Sequence, residues 1–221
     1  MKEKLTVALL NDSFPPSIDG VANTVINYAS IIEQNYGHAI VATPDYPDVK
    51  DNYPFEVLRY PSINTTKYVG YRFGIPTNAN YISQYREKNV DIIHSHCPIS
   101  SNALGRALRD SVHCPLIMTY HTKFDIDIRK AVNSRLLQEV AIKALIENIS
   151  ASDEVWTVSH GAGENLRSLG FKGEYIVMPN GVDFEKGSSP KHEIDAISNE
   201  YLLRKDVPVY LFVGRMMWYK G

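Results

Sequence analysis

The residues with chemical reach gather where apolar runs turn polar. His94-Ser95-His96 closes one such run, and Tyr120-His121-Thr122 closes the next. In extended chain, residues two apart share a face, so His94 and His96 can present two imidazoles together, as His-x-His metal ligands do. Cys97 would be a soft third ligand. No further Cys/His cluster follows at metal spacing, so no bound metal is expected: one of the two histidines lines a crevice and the other packs in the core. His121 can donate to or accept from a hydroxyl near neutral pH. The bland alternative is a capping histidine in a loop.

Other positions suit anions. Asp19-Gly20 ends a loop and opens a predicted helix. A glycine there lets backbone N–H groups approach an anion, and the helix N-terminus favours negative charge. One glycine without a fuller phosphate-binding pattern is equally an ordinary strand-to-helix turn. Arg215 and Lys220 follow a predicted strand, where two cations can hold a diphosphate; composition alone favours a solvated loop. Seven of the 14 tyrosines fall between Tyr46 and Tyr85. They suit stacking on sugar rings or lipid-like ligands, or packing beneath long loops. Pro179-Asn180-Gly181-Val182-Asp183 reads as a turn.

The elements that must position these residues alternate in type. Apolar runs at Leu5–Leu10, Ala39–Thr43, Glu56–Tyr60, Val90–His96, Leu116–Tyr120, Glu154–Val158 and Tyr175–Met178 predict strands. Helical patterns lie between them, at Val21–Gln34, Asn78–Lys88, Ser101–Arg109, Ile126–Ile149 and Gly161–Ser168. Ala103, Gly105 and Ala107 predict close packing of their helix on a sheet. Ile126–Ile149 is read as one long, largely buried helix and not as a membrane-surface helix, because Arg129, Lys130, Arg135 and Lys143 scatter around it instead of forming a stripe. Fully apolar strands separated by helices predict an α/β fold: a Rossmann-like, doubly wound parallel sheet covered on both faces. Such sheets bind ligands beyond the carboxyl ends of their strands. Residues 1–185 form this domain, 186–206 a polar linker, and 207–221 the first strand and loop of a second domain that the chain is expected to break off.

Composition narrows the classes. The hydrophobic fraction is 44%, the charged fraction 22% and the net charge -2. That is ordinary for a globular protein, with no global field for nucleic acid or anionic lipid. Two cysteines without a CxxC pair argue against a disulfide framework or structural zinc and fit a reducing compartment. Leu5–Leu10 is too short for a signal peptide, and no stretch is long enough to span a bilayer. A cytoplasmic protein is expected, with membrane-surface attachment left open.

Taken in order, the Pro-Pro-x-x-Asp-Gly loop, His-Ser-His-x-Pro, Tyr-His-Thr, Val-Ser, Pro-Asn-Gly-Val-Asp and Gly-Arg-x-x-x-x-Lys-Gly resemble the N-terminal pattern of a large family of retaining GT-B glycosyltransferases. That family includes phosphatidylinositol mannosyltransferases, sucrose-phosphate synthases and diacylglycerol glucosyltransferases. The resemblance implies the N-terminal half of a GT-B fold. It implies transfer of a sugar from a nucleotide-diphosphate donor, UDP-glucose among them, to a sugar or lipid hydroxyl, with retention and without a cofactor. By the same resemblance Gly20 faces the donor diphosphate and Arg215 and Lys220 clamp it. His121 then contacts the transferred sugar, and His96 and Thr122 lie on the sugar and acceptor side. A glycolipid product and peripheral membrane contact would follow; nucleic acid is not an expected partner. Two other classes stay open: a non-catalytic nucleotide- or phosphate-binding α/β module, and a metal-dependent hydrolase built on His94 and His96.

Overall fold

The computed structural model describes residues 4–17, 19–66, 72–76, 79–182, 187–204 and 206–213. They fall into two compact units, Met1–Gly181 and Val182–Gly221.

The first unit is built on a seven-stranded sheet. Its strands are β1 (Leu5–Leu10), β2 (Gly37–Pro44), β3 (Glu56–Tyr60), β6 (Ile92–Ser95), β7 (Leu116–Tyr120), β8 (Glu154–Thr157) and β9 (Ile176–Val177), in the order β3-β2-β1-β6-β7-β8-β9. Every neighbouring pair is parallel. The expected α/β fold, with its doubly wound parallel sheet, is therefore present, and the winding reverses between β1 and β6. A two-stranded antiparallel pair, β4 (Ser62–Ile63) and β5 (Phe73–Gly74), was not legible in the sequence. Two-residue strands give no period to read.

Both faces of the sheet are covered, so its central strands β1 and β2 are mostly apolar. Ala8 and Leu10 point into a core with Tyr81 and Tyr85 of α2 (Ala79–Glu87) and Leu104 and Leu108 of α3 (Ser100–Val112). Val7 and Leu9 point the other way, onto Val25 and Ala29 of α1 (Gly20–Asn35). A third core joins Met118 and Tyr120 to α5 (Arg135–Ser150) and α6 (His160–Ser168). At Gly105 an added Cβ would lie 2.7 Å from Leu116 Cδ1, so the expected close helix-to-sheet contact is real there. Ala103, by contrast, faces solvent.

Three expectations change. The helix over Ile126–Ile149 is two helices, α4 (Phe124–Ala131) and α5, because Val132 and Ser134 are extended. Asn133-Ser134, residue types that favour helix starts, was the overlooked signal. Nor is this region largely buried: in α5 only Ile142, Leu145, Ile146 and Ile149 are, while Leu136 is 75% exposed and Leu137 and Val140 are 57% exposed. Third, the tyrosines over 46–85 are in part core residues. Tyr60 and Tyr85 are fully buried, and the Tyr81 and Tyr85 hydroxyls hydrogen-bond each other at 2.7 Å.

The second unit contains α7 (Lys191–Glu200), none of whose residues is buried. Residues 206–213 have no regular secondary structure, where a strand was expected over 207–213. A strand's backbone groups need a neighbour, and no strand pairs with this segment among the described residues.

Candidate active site at the carboxyl edge of the sheet

Period-two geometry assembles the candidate site. His94 pairs in register with Ile117, and Thr119 with Trp156. His94, Thr119 and Trp156 therefore stand on the α1 face of three adjacent strands, and His96 and His121 continue that face just past the ends of β6 and β7. The rings form a file. The His94 and His96 centroids are 4.1 Å apart and those of His96 and His121 5.3 Å apart. Tyr28 of α1 meets His96 edge-on at 5.5 Å, and Trp156 meets His94 edge-on at 4.9 Å. His94 Nε2 is 2.7 Å from Thr119 Oγ1, and His96 Nδ1 is 3.0 Å from His121 Nε2.

All three rings are held neutral. Burial, and then the charge of His121, drives His94 down to about 3. Burial brings His121 down to about 4, opposed by the negative charge of Asp19. His96 falls well below its ordinary range through burial and then its two histidine neighbours. A neutral imidazole can donate one hydrogen bond and accept one.

The expected division of labour between His94 and His96 does not hold. Both are buried, His94 at 4% and His96 at 1% exposure, and the half-buried His121 is the one that reaches the rim. Thr122 beside it is exposed. Among the described residues, no group of three or more His, Cys, Asp or Glu side chains has the geometry to hold a metal ion. Gly20 opens α1 at the same edge, and a Cβ there would meet nothing within 4 Å. The Val21 and Ala22 N–H groups already donate to Asp19 Oδ1 at 2.9 and 2.8 Å. Arg215 and Lys220 lie outside the described residues.

Sequence reasoning missed Asp12. This buried carboxylate accepts from the backbone N–H of Ser100 at 3.1 Å and of Ser101 at 2.7 Å, from the Ser101 hydroxyl, and from Tyr60 Oη at 3.3 Å. Burial raises its pKa, while hydrogen bonds from Cys97, Ser101 and Ser100 hold the rise back. The clue was an acidic residue two positions past the end of a buried strand, where only a paired charge is tolerated.

Residues 18–186 match the family described as Glycosyltransferase Family 4. The chain belongs to that family. It is 24% identical over 189 residues to an alpha-monoglucosyldiacylglycerol synthase of Streptococcus pneumoniae (strain ATCC BAA-255 / R6), covering 85% of this chain and 43% of that protein. It is also 24% identical over 227 residues to the alpha-monoglucosyldiacylglycerol synthase of Acholeplasma laidlawii, covering 96% and 56%. A GDP-mannose-dependent alpha-mannosyltransferase of Corynebacterium glutamicum is 27% identical over 122 residues, covering 53% and 29%. Among solved structures, the apo form of the lipopolysaccharide outer core galactosyltransferase WaaB matches with a TM-score of 0.50 at 14% identity, over 76% of this chain and 43% of that one. This family 4 chain thus spans about half the length of the synthases it matches. The histidine file and Gly20 lie inside the matched span; Arg215 and Lys220 lie beyond it.

Proposed function

We propose that the chain supplies the acceptor-side wall of a retaining glycosyltransferase, which moves a sugar from a nucleotide-diphosphate donor to an acceptor hydroxyl. The observation that carries the reading is the neutral histidine file at the carboxyl edge, next to the winding reversal, in a chain of family 4. Ligands of doubly wound sheets gather at such a reversal. A neutral His121 can bond a sugar hydroxyl without a charge change. Gly20, open on its Cβ side, leaves room for a diphosphate to come close, and Arg215 and Lys220 stabilise the charge that grows on it as the glycosidic bond breaks. Thr122 adds a hydroxyl at the rim, and His96 acts behind His121. No metal or organic cofactor is needed where two cations carry that charge.

The acceptor is a lipid in this reading, and the product a glycolipid. Two relatives are named for diacylglycerol products. The exposed Leu136, Leu137 and Val140 share α5 with Arg135 and Lys143, an arrangement suited to contact with an anionic membrane surface.

The test is transfer of radiolabelled sugar from a panel of UDP- and GDP-sugars to diacylglycerol and glucosyldiacylglycerol in mixed micelles. It is run with the chain alone and with the chain fused to the C-terminal half of the Acholeplasma laidlawii synthase. Label in the lipid fraction from the fusion, with the donor's anomeric configuration retained, is the expected result, with little or none from the chain alone. A folded fusion that labels no acceptor overturns the proposal.

A further inference from the structure

The file contains a hydrogen-bonding problem with two solutions. His96 Nδ1 and His121 Nε2 are 3.0 Å apart. Between two neutral imidazoles, one nitrogen carries the hydrogen and the other offers its lone pair. The outer nitrogens, His96 Nε2 and His121 Nδ1, are both buried without a partner among the described residues. Each neutral ring keeps one N–H. Whichever ring accepts the shared bond therefore carries its own hydrogen on its outer nitrogen, with nothing there to receive it.

The two solutions are unequal. If His121 donates, the orphan N–H belongs to His96 Nε2. That residue is 1% exposed, with the His94 ring 4.1 Å and the Tyr28 ring 5.5 Å from its own. His94 cannot relieve it through Nε2, which is engaged with Thr119. An N–H stranded among rings has lost its water and gained no acceptor, and such donors are rare in folded proteins. If His96 donates, the orphan N–H is His121 Nδ1, likewise a buried atom but on a half-buried residue just past the strand end, so a smaller rearrangement brings it an acceptor than His96 Nε2 would need. The lone pair then left on His96 Nε2 is the cheaper group to leave unpaired.

We infer that His96 is a positioning residue which sets the proton on His121: it donates from Nδ1 to His121 Nε2 and holds His121 as the Nδ1–H tautomer. His121 then meets a ligand as a hydrogen-bond donor and not as a base. On the proposed function, on which this role at the substrate rests, it grips a sugar oxygen and takes no proton from it. The titratable groups around the pair are His94 on β6, Tyr28 on α1 and Asp19 before α1. The negative charge of Asp19 opposes the fall in the His121 pKa that burial causes.

The test is a long-range proton–nitrogen correlation spectrum of the uniformly 15N-labelled chain at pH 7, with His121 assigned by its loss in His121→Asn. His121 should show a protonated Nδ1 and an unprotonated Nε2. In His96→Asn the side-chain amide N–H can stand where Nδ1–H stood, and His121 should keep that tautomer. In His96→Leu it should shift toward the Nε2–H form that free histidine prefers. An Nε2–H His121 in the unmodified chain overturns the inference even if neither variant folds. So does an unchanged His121 in a folded His96→Leu. Because the spectrum needs no turnover, a failed transfer assay beside an Nδ1–H His121 would count against the proposed function alone.

Discussion

The Asp12 carboxylate accepts the backbone N–H of Ser101 at 2.7 Å, across 89 positions of sequence. It stands in for a local cap. The residue before α3 is Ile99, which has no side-chain acceptor, so the open N–H groups of this helix are met from the loop after β1. The two strands at the winding reversal are thereby tied beyond their hydrogen-bonded ends.

Asp12→Ala should therefore destabilise strongly, by about 3 kcal/mol or more, since buried donors on Ser100, Ser101 and Tyr60 lose their acceptor together. Asp12→Asn, which keeps one carbonyl oxygen, should cost less. Urea unfolding of the two variants measures the difference; equal, small losses would contradict the capping role.

Acid should unfold the chain from the histidine file. Each ring titrates near 6.5 when unfolded and lower when folded, so the unfolded state binds more protons in between. Stability from these groups is complete above that value and falls as pH drops below it. At pH 5 the loss is on the order of 2 kcal/mol for the buried His94, whose folded value is about 3, and His96 adds a loss of the same sign. Asp12 works in the opposite sense, its raised carboxyl favouring the folded state at low pH, but it is one group against three. Thermal melts from pH 8 to pH 4.5 should be flat at first and then decline; a rising Tm on acidification would refute this.

Gly37→Ala should be far more damaging than Gly105→Ala. At Gly37 φ is +158° and an added Cβ would lie 1.9 Å from the Leu5 carbonyl oxygen, fixed backbone of the central strand. At Gly105 the obstacle is the end of the Leu116 side chain. We expect about 1–3 kcal/mol for Gly105→Ala and a larger loss for Gly37→Ala, read from denaturant midpoints.

Gln at Leu136, Leu137 or Val140 should change stability by no more than about 0.5 kcal/mol, whereas Ile149→Ala should cost about 2–5 kcal/mol. If α5 meets a membrane, the triple Gln variant should also lose flotation with anionic vesicles. Unchanged flotation would remove the lipid-surface part of the proposed function.

His121→Ala, Arg215→Ala and Lys220→Ala should each lower transfer by the active fusion about a hundredfold or more, the usual effect of removing one preorganised group. Near-normal rates with an intact fold would withdraw that residue's role.

Much of this was legible because buried strands announce themselves. β3 and β7 were read to the residue, and α1 and α2 to within one position at each end. The shared face of His94 and His96 followed from alternation alone. That both would be buried did not, because a histidine's surroundings depend on which helix covers it, and Tyr28 and Trp156 are remote in sequence. The Asp12 cap was invisible for the same reason: its partners begin at Ser100. The break at Val132–Ser134 was missed because apolar residues continue on both sides of it.

The place of β1 in the sheet has a consequence during synthesis. Leu5–Leu10 leaves the ribosome before every other strand of this sheet, yet it ends as a central strand, paired on one side with β2 and on the other with β6, where Val7 faces Ile92. At roughly 5–20 residues per second, the eighty-odd residues up to β6 take roughly 4–16 s to emerge. For that time a nascent chain that has already paired β1 with β2 carries an unsealed, largely apolar strand edge. Slowed translation over residues 45–92, or depletion of chaperones that shield such edges, should cost this chain more soluble yield than the same insult applied after Ser95 has emerged.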